Sequence, residues 1–250
     1  MLVATWNMKQ AVAPKKPLHL LWDWISREID PDVIVLTEAR VPPAGLPDGW
    51  AGVWTPGGIG PRRTWGTIIA GRGVDLQAVS VDAESLQRTG LSTPHAGTVQ
   101  TVDVIVNKNL WATVIGAYGF MPQSKNGWDA LEGIINTVIC TMDLGRDRLI
   151  LAGDFNLWPD DLVPTLEESI GLVDIMGCVT DLPKLEKAVG GSRIWTHKNG
   201  NSPNAARQEL DYIFTTEVLA DEVISVGGGI EDFPDAWDMS DHAPVVVEFQ

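Results

Sequence analysis

An α/β domain, with packed β-sheets covered by helices, is what this sequence predicts. Short apolar runs of strand length alternate with helix-spaced segments along the chain. No linker, low-complexity stretch or fixed-period repeat interrupts that alternation. The length of 250 residues and an apolar content of 44% suit one large domain with a sizeable core, so residues 1–250 read as a single unit.

The elements follow in order. Leu2–Trp6 reads as a strand, and "LHLLWDWISRE", Leu18–Glu28, has helical spacing and ends at "IDPD". Val33–Thr37 is a second buried strand. Residues 41–64 are rich in Pro and Gly and read as loop, with one short strand around Gly52–Thr55. Strands are expected at Thr67–Ala70, Thr98–Val106 and Trp111–Ala117, then a helix over residues 127–143 and a strand at Leu149–Ala152. "TLEESIGL" reads as a short helix capped by Thr165 with Glu168 three residues on. Strands near Arg193–Thr196, Leu210–Thr215, Glu222–Val226 and Ala243–Phe249 complete the chain.

Charge narrows the function. Thirty-three acids against 18 bases give a net charge of −15, the wrong sign for gripping a polyanion across a broad surface. An acidic metal site would contribute to that imbalance. Two cysteines, Cys140 and Cys178, match neither a disulfide framework nor a zinc spacing, and Cys140 reads as a plain buried thiol. "MLVATWN" reads as a first strand and not as a signal peptide, and no 18-residue apolar run is present. A cytoplasmic protein without a membrane partner is therefore expected.

Polar residues gather where the apolar runs begin or end. Asn7 follows "LVATW", Glu38 follows "VIVLT", Tyr118 follows "VIGA", and Asp154 and Asn156 follow "LILAG". Asp211 sits in "ELDYIF", and Asp241 and His242 precede "APVVVEF". Each alone is an ordinary turn residue, surface acid or structural histidine. Together they suit phosphoester hydrolysis, because residues distant in sequence meet where strand ends converge. Mg²⁺, with Mn²⁺ as its substitute, needs few carboxylates beside substrate phosphate. Glu38 is the natural ligand, with Asp241 and the Asn7 amide oxygen nearby. Asp154 would activate water, with Asn156 holding water or a phosphoryl oxygen. A protonated His242 and the Tyr118 hydroxyl would meet developing charge, and Asp211 would orient the imidazole. Substrate contacts are expected from Arg62 and Arg63, with Lys125, Arg193, His197 and Lys198 as further loop bases. Trp158, just past "GDFN", is the candidate for base stacking, while most of the other tryptophans read as core.

These residues resemble the endonuclease/exonuclease/phosphatase superfamily, the DNase I-like metal-dependent phosphoesterases. "ATWNM", "VIVLTEA", "AYGFMP", "LAGDFN", "ELDYIF" and "SDHAPVV" stand in that superfamily's order from residue 4 to residue 247. The resemblance implies a four-layered α/β sandwich, two mixed sheets with helices outside. It also implies Asn7, Glu38 and Asp241 at a metal, Asp154 and Asn156 at water and phosphate, and an Asp211–His242 pair. Two departures stand out. Lys9 occupies a place where many nucleases of the superfamily carry an acid or polar residue, and neither "GDxNxR" nor a later "CDR" of the inositol-phosphatase branch is present.

The expected function is a metal-dependent nuclease or phosphodiesterase acting on nucleic acid. The alternative is a phosphatase or phosphodiesterase for a small phosphorylated substrate. A non-catalytic binding protein on the same fold is disfavoured, since no acid or histidine of the matched set is missing. The sequence points to no protein partner.

Overall fold

The computed structural model describes residues 1–9, 18–42, 44–55, 65–81, 93–119, 128–158, 162, 194–200, 202 and 205–250. In chain order its strands are β1 (Leu2–Asn7), β2 (Val33–Ala39), β3 (Trp50–Trp54), β4 (Gly66–Arg72), β5 (Asp75–Ala78), β6 (Val99–Val106) and β7 (Asn109–Tyr118). There follow β8 (Leu149–Asp154), β9 (His197–Asn199), β10 (Ala206–Gln208), β11 (Asp211–Thr215), β12 (Val223–Gly228) and β13 (Val245–Phe249). Two longer helices are α1 (Leu18–Trp24) and α2 (Trp128–Asp143).

Six strands form one sheet in the order β12-β13-β1-β2-β4-β3, and five form another in the order β11-β8-β7-β6-β5. Both sheets are mixed. β1 runs parallel to β2 and β7 parallel to β8, and the other pairings are antiparallel. Each parallel pair is joined through a helix, α1 or α2, since parallel neighbours need a crossover. β9 and β10 form a separate antiparallel hairpin.

Three apolar clusters define four layers. Val3, Val33, Val35 and Ile69 of one sheet meet Val102, Val114, Ile150 and Ile213 of the other. On the far face of the first sheet, Ala4, Trp6, Ile34 and Leu36 pack with Leu21, Trp22, Trp24 and Ile25 of the α1 segment. On the far face of the second, Ile115, Leu149, Leu151 and Phe214 pack with Leu131, Ile134, Ile135 and Val138 of α2. The α2 residues have the i, i+3, i+4, i+7 spacing of one helical face. Strand alternation sorts each sheet's side chains between the shared inner core and an outer helix-covered layer. The four-layered sandwich is therefore present.

Several elements differ from expectation in extent. The Leu18–Glu28 helix is α-helical only to Trp24. Ile25–Ile29 winds one wider turn, closed by Asp30 N–H donating to Ile25 O at 2.9 Å. Asp30 stands in the left-handed region at φ 53° ahead of Pro31, where continued right-handed helix is disfavoured. The strand expected at Arg193–Thr196 instead begins at His197, because Thr196 is committed to bracing loops around the site. β5 carries no apolar alternation because it is a largely exposed edge. Cys140 is buried and free of any disulfide. Cys178 and the "TLEESIGL" helix lie outside the described residues.

Candidate active site

The carboxyl ends of both parallel strand pairs point to one place. Counting along each strand from its inner-face residues, Asn7 continues the Val3, Thr5 alternation and Asp154 continues Ile150, Ala152. Tyr118 follows Val114 and Gly116 in the same way, and Asp211 precedes Ile213. Register places Asp154 between Tyr118 on β7 and Asp211 on β11. All four side chains thus leave strand ends on the side facing the opposite sheet.

Glu38 is different. Its parity follows Ile34 and Leu36, which face the helix-covered layer. A bulge between Leu36 and Ala39 sets Thr37 and Glu38 against one residue of β4, and Glu38 has φ 46°. Bulges re-aim side chains. Here the carboxylate accepts the Tyr118 hydroxyl at 2.7 Å and the Asn7 amide N–H at 3.4 Å on Oε1. Lys9 (φ 48°) and Asn156 (φ 53°) are also left-handed, so backbone strain concentrates around the cluster.

Asn7 binds the two halves together. Its Nδ2 donates to Asp154 Oδ2 at 2.7 Å as well as to Glu38, while its Oδ1 accepts Lys9 N–H at 2.9 Å. The amide therefore presents nitrogen, not oxygen, to the acids. Asp154 accepts Asn156 N–H on Oδ1 at 2.9 Å and Asn156 Nδ2 on Oδ2 at 3.2 Å. The Asn156 amide also donates to Gly119 O at 3.1 Å, and Gly119 N–H donates to Asp154 O at 2.7 Å. A side chain at 119 would not fit, since a Cβ there would lie 2.1 Å from Phe155 O. Asp154 and Asn156 are therefore both an Asx turn and part of the cluster.

On the other side, His242 Nδ1 lies 2.7 Å from Asp211 Oδ2, with both residues buried. His242 Nε2 is 4.0 Å from Asp154 Oδ2. Asp241 pairs through Oδ2 with Lys9 Nζ and lies 3.7 Å from His197 Nε2. Its partners are thus Lys9 and His197, and no hydrogen bond joins it to Glu38 among the described residues. Buried oxygens of Asp211 (Oδ1) and Asp241 (Oδ1) have no hydrogen-bond partner.

Electrostatics follow from the crowding. Burial pushes Asp154 up, Asp211 pushes it further, and His242, Asn7 and Asn156 pull it back, leaving it at about 7. Burial alone would lower His242. The charge and hydrogen bond of Asp211, then Asp154 and Asp241, outweigh it and raise the imidazole to about 10. Burial first, then Glu38 and Asp154, hold the Tyr118 phenol far above its usual range, so the hydroxyl keeps its proton. Burial would also raise Asp241, but His197, His242 and Lys9 together hold it below the usual carboxylate range.

The arrangement suits a hard divalent cation. Glu38, Asp154, Asp211 and Asp241 offer carboxylate oxygens, two of them orphaned, beside imidazoles and neutral amides. Asp154, Asp211 and His242 offer ligand atoms within 4.8 Å of one another, as do His197, Asp241 and His242.

Residues that the strand-end pattern passed over hold the cluster in shape. Thr196 Oγ1 accepts the N–H groups of Leu210 and Asp211 at 3.0 and 3.2 Å, and its carbonyl accepts Ala243 N–H. It thereby ties the start of β11 to the loop bearing His242. Ser240 Oγ donates to Asn7 O at 2.7 Å and accepts His242 N–H at 3.2 Å, and Trp6 Nε1 donates to His242 O at 2.9 Å. His197 had appeared only as a loop base. The β9–β10 hairpin brings its ring within 4.5 Å of the His242 ring, and its Nδ1 lies 2.8 Å from Gln208 Oε1. The "SDH" sequence around Ser240 was the available signal for that residue; Thr196 and His197 carried none. Trp158 is exposed, and no ring contact or hydrogen bond of its side chain joins it to the cluster among the described residues. Arg62, Arg63, Lys125 and Arg193 lie outside the described residues.

Known proteins share this architecture. Residues 123–242 match the model of the Endonuclease/Exonuclease/phosphatase family. No curated protein matches the sequence. Among solved structures, the chain is similar to the 3′ phosphatase NExo of Neisseria, bound there to a product DNA hairpin. The identity is 19% with a TM-score of 0.67, covering 100% of this chain and 99% of that one. An AP endonuclease of Archaeoglobus fulgidus is 18% identical with a TM-score of 0.66, covering 100% and 99%. The AP endonuclease LMAP of Leishmania major is 16% identical with a TM-score of 0.68, covering 100% and 87%. At these identities the structural likeness speaks for the fold. The family match covers residues 123–242, just under half of the chain, and ends at the candidate histidine His242, while the likeness to these solved structures runs over the whole chain, so the chain resembles the endonuclease/exonuclease/phosphatase superfamily in fold and in this segment of sequence.

Proposed function

We propose that the chain is a divalent-metal-dependent phosphoester hydrolase, a nuclease or phosphodiesterase, that directs water at phosphorus with an Asp–His pair. The match of residues 123–242 to a family of endonucleases, exonucleases and phosphatases supports hydrolysis of ester bonds. The observation that carries the reading is the buried line Asp211–His242–Asp154, with spacings of 2.7 and 4.0 Å, opening onto Glu38 through Asn7.

Each side chain has a task that its surroundings suit. Asp154, raised to about 7, is matched to accept a proton from water near neutral pH. Asn7 and Asn156 fix its oxygens. His242, held as imidazolium by Asp211, presents Nε2 as a cationic donor to a phosphoryl oxygen. Tyr118 keeps its proton and serves as a donor at the Glu38 side. Glu38, with Asp241 across the cluster, would hold the ion, and Asn7, whose amide nitrogen donates to Glu38 and Asp154, would position those carboxylates. When bound, a divalent cation supplies Lewis-acid polarisation of the phosphoryl group and a more acidic water. Arg62, Arg63 and Trp158 are proposed to contact substrate.

DNA enters as the first substrate to test because the NExo structure holds a DNA hairpin. The net charge of −15 keeps a small phosphorylated substrate as the second reading. The test is hydrolysis of supercoiled DNA, single-stranded DNA, RNA and bis-p-nitrophenyl phosphate, with Mg²⁺, Mn²⁺ or EDTA. Metal-dependent cutting of a polymer, lowered at least ~10²-fold in a folded His242→Ala variant, is the expected result. Cleavage of the small diester alone favours the second reading, and activity undiminished in EDTA overturns metal dependence.

A further inference from the structure

One guanidinium beside the cluster has no partner. Arg27, Arg72, Arg146, Arg148 and Arg207 each pair with a carboxylate. Arg40 is half-buried, its Nε is fully buried, and no hydrogen bond or ion pair engages it among the described residues. A buried N–H without an acceptor costs stability, which an arginine kept for structure recovers by pairing. In a chain of 33 acids and 18 bases, a guanidinium left without an acid is one whose partner comes from outside.

The bulge in β2 decides where this side chain goes. Ala39 and Val41 both pack in the helix-covered layer with Ile34 and Leu36. Arg40, between them, therefore leaves the chain on the opposite side, the one to which the bulge turns Glu38. Continuing the Ala39–Gly66 pairing by one residue sets Arg40 across from Trp65, whose ring meets the Tyr118 ring edge-on at 5.3 Å. Tyr118 in turn donates to Glu38. Arg40 thus stands at the outer rim of the cluster, just past Glu38 along the chain. In the sheet, β1 with Asn7 separates β2 from β13 and so separates Arg40 from the His242 loop.

We propose that Arg40 is an anion subsite that takes a second, non-scissile phosphate of the substrate, next to the phosphate addressed by Asp154 and His242. This deepens the hydrolase reading given above and rests on it. A guanidinium offers paired N–H donors matched to phosphate oxygens and stays charged at any working pH. With no acid on it, no ion pair has to break before a phosphate enters. The scissile group is met across β1 by His242 Nε2, so the ligand of Arg40 is a neighbouring phosphate. It belongs either to a nucleic-acid backbone or to a small molecule carrying more than one phosphate.

The test measures binding to the full chain in EDTA, so that neither ion nor turnover enters. The probes are a single-stranded DNA oligonucleotide, followed by fluorescence anisotropy across a salt series, and thymidine 3′,5′-bisphosphate, followed by calorimetry. Wild type is compared with Arg40→Gln and Arg40→Lys. Arg40→Gln should melt no lower than wild type, because no hydrogen bond or ion pair is lost, and should bind roughly tenfold more weakly. With DNA, the slope of log K against log salt should shrink by about 0.7, and Arg40→Lys, which keeps the charge, should restore it. Weakening confined to DNA assigns the phosphate to a nucleic-acid backbone, and weakening confined to the bisphosphate assigns it to a small substrate. Weakening of both supports a subsite open to either. Unchanged affinity for both probes in a folded Arg40→Gln variant, or no binding of either probe by wild type, overturns the subsite and leaves the hydrolase reading standing. A chain that binds through Arg40 yet hydrolyses nothing loses the hydrolase reading alone.

Discussion

Asp211 and His242 are 31 positions apart in sequence, yet Asp211 Oδ2 and His242 Nδ1 lie 2.7 Å apart in the core. A carboxylate on Nδ1 fixes the proton there and turns Nε2 toward Asp154, 4.0 Å away. Replacing the carboxylate by an amide keeps the volume and removes the charge that sustains the imidazolium. Asp211→Asn is therefore expected to lower turnover at least ~10²-fold with the fold intact. Steady-state kinetics beside circular dichroism checks this. Turnover within a few-fold of wild type would reduce the pair to a structural contact.

Glu38 reaches the cluster only because its strand bulges, and its carboxylate has neutral partners alone among the described residues. Glu38→Gln preserves hydrogen bonding to Tyr118 and Asn7 but loses the negative charge. Mg²⁺ affinity measured calorimetrically should fall by roughly tenfold or more. An unchanged titration would move the ion elsewhere.

In EDTA, stability should depend on pH through two buried groups with opposite effects. The folded-state pKa of His242, about 10, exceeds its ordinary 6.5. Its contribution to stability is therefore complete below about 6.5 and is lost as pH rises through about 10. Asp154 is raised from 3.8 to about 7, so the folded state is increasingly penalised as pH rises across that interval. Thermal melts of wild type, His242→Gln and Asp154→Asn from pH 4 to 10 separate the two. His242→Gln should approach wild-type stability toward pH 10, and Asp154→Asn should gain on wild type between pH 4 and 7. Parallel melting curves for all three would show that neither group titrates as described.

Much of the molecule was legible in its sequence because strand alternation and helix spacing are local properties. Ala4 and Trp6 against Val3 and Thr5, or Leu131, Ile134, Ile135 and Val138 on one helical face, announce their layers without any knowledge of what covers them. Elements lacking an inner apolar face gave no such signal. The exposed edge β5 and the β9–β10 hairpin therefore went unread, and Ile25–Ile29 was read as ordinary helix because its wider turn preserves the apolar spacing.

The same division runs through the site. Sequence alone selected Asn7, Glu38, Tyr118, Asp154, Asn156, Asp211, Asp241 and His242 as polar residues bordering core strands, since a hydrophobic run that stops at an acid or amide is visible in one dimension. Only the tertiary structure decided who meets whom. The Glu38 bulge reverses the side that parity assigns, Asn7 offers its nitrogen and not its oxygen to two acids, and Asp241 takes Lys9 and His197 as partners. These outcomes depend on backbone left-handedness at single residues and on contacts between strands far apart in the chain. Periodicity carries no information about either, because a one-residue change in φ or a long-range pairing leaves the local pattern of apolar and polar residues untouched.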